Sequence, residues 1–564
     1  MSSVLKQYLP SLAWLPAYRA SENLRGDVSA GLTVGVMLIP QGMAYALIAG
    51  LPPIYGLYAA LVPLVVYALL GTSRQLAVGP VAMVSLLVAA GVAPLAGGDA
   101  VQYIALAMML AFMVGVIQLA LGLARFGFIV NFLSHPVLSG FTSAAAVIIG
   151  MSQLKHVLGV PLTSSKFVVD VLMATLASLG TIHLPTLALG AGAIVVLVMV
   201  KRINPLLPGA LIAVVFGIGL TWVFDLDAYG VKILGTVPEG LPVIGDTTWF
   251  DLSQVSALLP TALTISLVGF MESIAVAKSF ASRNRYEIDA NQELVALGAA
   301  NVAGAFSQSF PVTGGFSRTA INGQAGAVTP MASLISALVI AVTLLFLTPL
   351  FTYLPNAVLG AIVMVAVAGL VDVREMRLLW RVKRSDWALL LITFFATLGL
   401  GIEEGILIGV VASLIVVIRN SSMPHTTLMG RLPGTRTYRN AERFPEAEVL
   451  PNIAVLRVDA SMYFANASFV KDRVRELIRE QPELQAIVID AYPINQIDSS
   501  ATHALEDVLE MTEQEGIVVY FAGVKGPVRD VLDRAGVTAR LGVDRFTLLV
   551  ADAVEKAQAA LASR

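Results

Sequence analysis

The sequence runs to 564 residues, 57% hydrophobic and 13% charged, with a mean hydropathy of +0.80 and a formal net charge of -2. This composition excludes an ordinary soluble domain, and a near-neutral chain without a Lys/Arg run excludes an electrostatic nucleic-acid binder. With no cysteine, disulfides, thiolate metal sites and cysteine nucleophiles are excluded as well.

Residues 1–27 hold Pro10, Pro16 and scattered charges, with no apolar core before a cleavage site, and are expected to form a cytoplasmic N-terminal segment rather than a signal peptide. From there to Ile418 apolar runs recur at the length needed to cross a hydrocarbon layer of roughly 30 Å. They predict spans near 28–46, 54–71, 101–122, 134–152, 185–201, 207–224, 256–280, 288–306, 328–348, 355–372, 385–401 and 403–419. Two shorter runs near 80–91 and 315–326 are half-spans, which brings the count to fourteen. An even count puts both termini on one side. The loops of that side hold Arg19, Arg25, Lys201, Arg202, Arg283, Arg285 and the cluster Arg374, Arg377, Arg381, Lys383 and Arg384, so the side is expected to be cytoplasmic. Lys155 and Lys166 fall on the opposite face. Taken as seven segments each, residues 28–224 and 256–419 form two repeats, and the odd number inverts the second relative to the first.

The half-spans are introduced by Val78-Gly-Pro-Val-Ala-Met-Val84 and by Phe310-Pro-Val-Thr-Gly-Gly-Phe-Ser-Arg-Thr319. A helix that begins inside a membrane aims its unpaired N–H groups at whatever binds there, and such a terminus favours negative charge. The second terminus carries Arg318. Two half-charges and one guanidinium give a pocket of about +2, which suits a dianion. Glu272 lies roughly 21 Å of helical rise beyond Leu258 and therefore deep in its span. Ionised, Glu272 would repel an anion; neutral, it would accept one, so proton and anion should bind together, as a symporter requires. Carrying a dianion inward against about 150 mV costs roughly 7 kcal/mol at ~2.3 kcal/mol per charge per 100 mV, so accumulation needs such coupling. Glu272 is read as the coupling-ion residue, taking a proton or helping to hold sodium; the alternative is a permanent Glu272–Arg318 ion pair that only joins two helices.

After Ala441 the character changes: 20 of the 38 acidic residues fall in the last 124. Residues 420–445, rich in Pro, Arg and Thr, read as a linker. Ile453 to Val458, Ala486 to Asp490 and Gly516 to Phe521 read as strands, while Val470 to Glu480 and Ser500 to Glu515 have helical periodicity. The alternation predicts an open α/β sheet over 446–564.

The stretch Pro40-Gln-Gly-Met-Ala-Tyr-Ala46, with Gly50-Leu-Pro-Pro-Ile-Tyr-Gly-Leu-Tyr58, Gly71-Thr-Ser-Arg74 and Val78-Gly-Pro80, resembles the SulP sulfate permease family of anion transporters. Glu272-Ser-Ile-Ala275, Asn291-Gln-Glu-Leu294, Asn301 and Phe316-Ser-Arg-Thr319 carry the same resemblance into the second half. It implies a multi-pass α-helical membrane protein with fourteen transmembrane segments as a seven-plus-seven inverted repeat, core and gate domains moving as an elevator, a cytoplasmic STAS domain, and a homodimer in the bacterial inner membrane. It also implies that Gln41 and Tyr45 face the anion, that Ser317 offers a hydroxyl, and that the backbone N–H groups around Val81, Ala82, Phe316 and Ser317 complete the substrate-binding cradle, with Gly79, Gly314 and Gly315 allowing close approach. In the C-terminal domain Ile497-Asp-Ser-Ser500 is similar to the phosphorylatable loop of anti-sigma-factor antagonists, though Ala501 stands where glycine is usual; a helix cap by Asp498 or Ser499 is the plainer reading, and a cytoplasmic partner at this domain stays open.

No P-loop, zinc spacing or nucleophile constellation occurs, so no enzymatic activity, metal or cofactor is expected. The reading is a secondary active transporter, proton-coupled and carrying sulfate or a similar divalent oxyanion. The alternatives are a sodium- or proton-coupled bicarbonate or dicarboxylate transporter, and an uncoupled chloride channel or exchanger.

Overall fold

The computed structural model describes residues 9–128, 134–161, 168–204, 207–245 and 247–563, with Glu403 described by its backbone alone. Lys166 and the first eight residues of the N-terminal segment lie outside them. The chain divides into two compact units, Met1–Ser413 and Leu414–Arg564.

The first unit is helical. Its first half comprises α1 (Ala20–Ile48), α2 (Ile54–Tyr58), α3 (Val62–Leu70), the two-residue strand β1 (Val78–Gly79), α4 (Ala82–Ala96), α5 (Ala100–Leu123), α6 (His135–Ser152), α7 (Leu184–Ile203) and α8 (Gly209–Phe224). Its second half comprises α9 (Val255–Asn284), α10 (Ala290–Ala305), β2 (Thr313–Gly314), α11 (Phe316–Gln324), α12 (Met331–Val342), α13 (Asn356–Ala368), α14 (Val373–Val382), α15 (Arg384–Leu400) and α16 (Ile402–Ser422). Among the described residues eight helices are long and apolar enough to cross a membrane, and four shorter apolar helices accompany them. Counted with α2 and α3 as one broken span, and with α14 and the short helix Val168–Ala177 as connections, the halves hold seven segments each.

The structure adds detail to three expectations, the span near 328–348 being found at Met331–Phe351. The span at 54–71 is not continuous: it breaks between Tyr58 and Val62, where Pro63, at the second position of α3, has no N–H to carry the helix through. The span at 328–348 leaves α-geometry at Thr343, passing through a π turn over Thr343–Leu347 and a tighter turn over Thr348–Phe351. The basic cluster at 374–384 is not loop. Asp372 caps α14, accepting from the Arg374 and Glu375 amides at 3.0 and 2.9 Å, and seats an amphipathic helix there.

Close helix contacts use glycine where backbones must nearly touch. α5 packs against α10 with Gly115 facing Gly298; a Cβ at Gly298 would lie 2.6 Å from the Leu119 nitrogen and 2.8 Å from the Gly115 carbonyl oxygen. α1 packs against α12 in the same manner, a Cβ at Gly31 falling 2.6 Å from the Ala332 carbonyl oxygen. In lipid, where apolar side chains gain little by meeting each other, small residues set which helices pair.

The second unit is a six-stranded sheet in the order β4-β3-β5-β6-β7-β8. Its elements are β3 (Thr426–Arg431), β4 (Tyr438–Asn440), β5 (Ile453–Val458), α17 (Ala467–Glu480), β6 (Ala486–Asp490), α18 (Ser499–Gln514), β7 (Val518–Ala522), α19 (Gly526–Arg534), β8 (Phe546–Thr547) and α20 (Val550–Ala562). β5 to β8 run parallel, and β3 lies antiparallel to both β4 and β5. Alternation along β5 sends Leu456 and Val458 into one apolar layer with Val474 and Leu505, and Ile453 and Val455 into a second layer under Ala553 and Val554 of α20. Residues 426–440, expected as linker, therefore supply two strands: the Thr-rich run was masked by its polar neighbours. Asp498 caps α18 with 2.9 Å to the Ala501 amide, and its other oxygen accepts from the Phe464 amide at 2.8 Å.

Gly298→Val should cost about 1–3 kcal/mol by overpacking and lower the melting temperature of the purified chain by several degrees. Gly219→Val, at a position with nothing within 4 Å of its Cβ, should leave it unchanged; equal melting points would show that α5 and α10 do not depend on this contact.

Candidate functional site

β1 and β2 join the two halves of the first unit through a short ladder. They pair antiparallel, Val78 opposite Gly314 and Gly79 opposite Thr313. Each leads directly into a half-helix, α4 after Pro80 and α11 after Gly315. Neither helix has a capping side chain. The first intrahelical bonds run from the Ser85 amide to the Val81 carbonyl and from the Thr319 amide to the Gly315 carbonyl. The amides of Ala82, Met83 and Val84, and of Phe316, Ser317 and Arg318, are thus the open donors of the two termini. Val81, at the N-cap of α4, accepts the first bond of that helix with its carbonyl, which leaves its own amide outside the helical ladder as well.

Backbone that is not helical must find partners from elsewhere, and the sequence supplies them. Asn301 of α10 brackets Val312, accepting from its amide at 2.8 Å and donating to its carbonyl at 3.1 Å. The Gly314 amide donates to Ser273 Oγ at 2.8 Å; the hydroxyls of Ser273 and Thr313 lie 2.6 Å apart, and Thr313 donates onward to the Gly269 carbonyl at 2.6 Å. Thr319 Oγ1 accepts from the Ala77 amide at 3.1 Å, and the Gly315 amide donates to the Ala77 carbonyl at 3.1 Å.

Between the termini sits Arg318, 2% exposed. Its Nη1 donates to the Pro80 carbonyl, which ties the start of α11 to the entry of α4, while Nε and Nη2 are buried without a partner. A Cβ at Gly315 would lie 2.9 Å from Nη2, so only glycine leaves the guanidinium this position. Tyr45 and Glu272 are both within electrostatic range of Arg318. Glu272 Oε2 is buried and unpartnered, and no ion pair within 4.0 Å joins it to Arg318. The alternative of a permanent ion pair is therefore absent from this conformation. Gln41 and Tyr45 are buried on α1, and the Gln41 Oε1 has no hydrogen-bond partner. Ser317 and Phe316, the latter 57% exposed, lie on the accessible side of the same helix start.

Two further carboxylates hold this arrangement and were not singled out from sequence. Glu293, fully buried on α10, accepts from the Thr72 amide at 2.7 Å, the Thr72 hydroxyl at 2.6 Å, the Ser73 amide at 3.1 Å and the Tyr67 hydroxyl at 2.6 Å. It anchors the turn that leads into β1. Asp27, fully buried near the start of α1, accepts from the amides of Val328 and Thr329 at 2.8 and 3.0 Å and from the Thr329 hydroxyl at 2.6 Å, anchoring the turn that follows α11. The partners lie more than 200 residues away in sequence, so no local spacing announces them.

Residues 24–393 match the model described as the sulfate permease family, and residues 444–554 match the STAS domain. The chain is 40% identical, over 97% of its own length and 82% of the relative's, to sulfate transporter 4.1, chloroplastic, of Arabidopsis thaliana. It is 37% identical to a Mycobacterium tuberculosis protein named as a probable sulfate transporter, over 97% of this chain and 98% of that one. In three dimensions it is similar to the murine Solute Carrier 26 family member A9 anion transporter in the inward-facing state, with a TM-score of 0.91 at 26% identity over 99% and 95% of the two chains.

The Thr72 and Ser73 amides can only donate, and they meet Oε1 of Glu293; a glutamine could give its NH2 to the Tyr67 hydroxyl only by reversing that bond, and it gives up the charge that strengthens all four. Glu293→Gln should cost about 2–3 kcal/mol despite its matching shape, seen as a lower melting temperature of the purified chain, whereas Tyr67→Phe should cost about 1 kcal/mol. A Gln variant as stable as the parent would show that Glu293 is not the anchor of this turn.

Proposed function

The chain belongs to the sulfate permease family, and we propose that it carries sulfate or a similar divalent oxyanion by secondary active transport driven by protons. The observation that carries this reading is Arg318: a buried guanidinium with two unpartnered nitrogens, at the meeting of two uncapped helix N-termini. Such a point concentrates positive potential and hydrogen-bond donors where water is scarce, the combination that recognises an oxyanion. The names of the relatives support sulfate among the oxyanions.

The amides of Ala82, Phe316 and Ser317, the Ser317 hydroxyl and the free nitrogens of Arg318 would hold the anion's oxygens. Gln41 and Tyr45 would close the side formed by α1. Glu272 supplies the coupling: its Oε2 has no partner in this conformation, and a negative charge there would cancel about half of the pocket's attraction for a dianion, taking about +2 to about +1. Low pH favours the neutral carboxyl and hence anion binding. Release of both to the other side completes a symport cycle.

The same reading includes movement of a core domain against a gate domain as an elevator, a homodimeric assembly, and residence in a bacterial inner membrane. Both termini and the 446–564 domain would face the cytoplasm, supported by the Lys/Arg bias of the connecting loops.

Uptake of radiolabelled sulfate into proteoliposomes tests the reading. An inward proton gradient should drive accumulation, and uptake should rise as the outer pH falls. Glu272→Gln should keep sulfate exchange while losing both responses. A variant with the parent's pH dependence would remove Glu272 from the coupling step, and movement of another anion in place of sulfate would overturn the substrate assignment.

A further inference from the structure

The second unit holds a cavity of about 330 Å³ at one end of its sheet, on the edge formed by β4, β3 and β5. Its wall is unusually cationic, with Arg439, Arg443, Arg457 and His425 facing one carboxylate, Asp459, and with Phe444 closing one side. Both oxygens of Asp459 are already engaged: Oδ1 by Arg457 Nε at 2.6 Å and Oδ2 by His425 Nδ1 at 2.9 Å. Asp459 therefore serves as a bracket that aims Arg457 and leaves its terminal nitrogens free of that carboxylate. Arg439 and Arg443 form no ion pair within 4.0 Å among the described residues. Nearby arginines of the same unit do: Arg436 meets Asp552 and Glu555, and Arg540 meets Glu513.

Asp490, which does not line the cavity, lies opposite Arg457 in the β5–β6 register. Burial holds its carboxyl above the usual carboxylate range, against the pull of the Tyr492 amide and Arg457. Among the residues that line the cavity, three guanidinium groups face one carboxylate, around a space roughly ten times the ~30 Å³ share of one water molecule; with Asp490 counted the excess is one positive charge. Like charges held this close repel one another unless an anion lies between them.

We infer that this cavity is a second anion site, separate from the membrane pocket, which binds a free divalent tetrahedral oxyanion of the sulfate or phosphate class between Arg439, Arg443 and Arg457. The fork geometry of three arginines suits tetrahedral oxygens, each guanidinium offering two parallel donors. All of its residues lie in the second unit, so the site does not depend on which anion crosses the membrane. Its consequence is that the cytosolic level of a divalent oxyanion is read by the domain attached to the carrier.

Equilibrium dialysis of the purified full-length chain with radiolabelled inorganic sulfate, and separately with inorganic phosphate, tests this. The chain should bind at two classes of site. Arg439→Gln combined with Arg443→Gln should weaken one class by about tenfold or more, equivalent to about 1.4 kcal/mol, and leave the other, whereas Arg318→Gln should do the reverse. Whichever anion shows the selective loss is the ligand of the cavity. Unchanged binding of both anions in the double variant, or loss of all binding in a folded Arg318→Gln chain, would overturn the site. Because Arg318 is buried, hydrogen exchange in the unaltered chain gives an independent readout. Peptides covering 426–431 and 438–459 should gain protection in sulfate or phosphate over acetate of equal ionic strength, and equal protection would also overturn the proposal.

Discussion

The structure turns on one constraint: at membrane depth, backbone that leaves the helix must find a protein partner for every N–H and C=O. The two interrupted segments meet that demand by pairing with each other, Val78 with Gly314 and Gly79 with Thr313, and by borrowing side chains from α9 and α10. Ser273, Asn301 and Thr319 each serve backbone groups that the helices no longer serve. The first amides of α4 and α11 have no capping side chain. The fold thus spends its polar side chains on everything around the pocket and leaves the pocket's own donors open.

The same arrangement sets the electrostatics. Arg318 is tethered at Nη1 to the Pro80 carbonyl, so its position is fixed by the strand crossing rather than by a carboxylate. A guanidinium held in this way keeps its full charge for a ligand, which a tight pair with Glu272 would neutralise. Glu272 stands near enough to sense that charge without bonding to it. In the proposed cycle this separation matters: the carboxyl alters the pocket's charge without occupying its donors. Glu293 fixes the turn that leads into β1, and Asp27 fixes the turn that follows α11.

The half-helices were legible because Gly and Pro interrupt apolar runs at Val78-Gly-Pro80 and Phe310 to Gly315, and the pocket's charge followed from Arg318 lying at such an interruption. The sheet core was legible where β5, β6 and β7 are nearly continuous apolar runs. β3 and β4 were not, since a short edge strand such as Tyr438–Asn440 has no apolar face to reveal it and gains its place by pairing with β3. α14 was hidden by its charges: its apolar residues are spaced for one face, but the arginines made it resemble a loop. Glu293 lay inside a motif noted for its resemblance, yet its role required the Thr72 turn, brought to it only by the fold.

The most direct test of the account is a high-resolution map of the full-length chain saturated with sulfate, or with selenate to mark the anion by its heavier atom. The account requires density between the starts of α4 and α11, within hydrogen-bond distance of the free Arg318 nitrogens and of amides at Ala82 and Ser317, with Glu272 nearby. An anion bound elsewhere in the membrane unit, or an empty crossing with Arg318 folded onto Glu272, would contradict it.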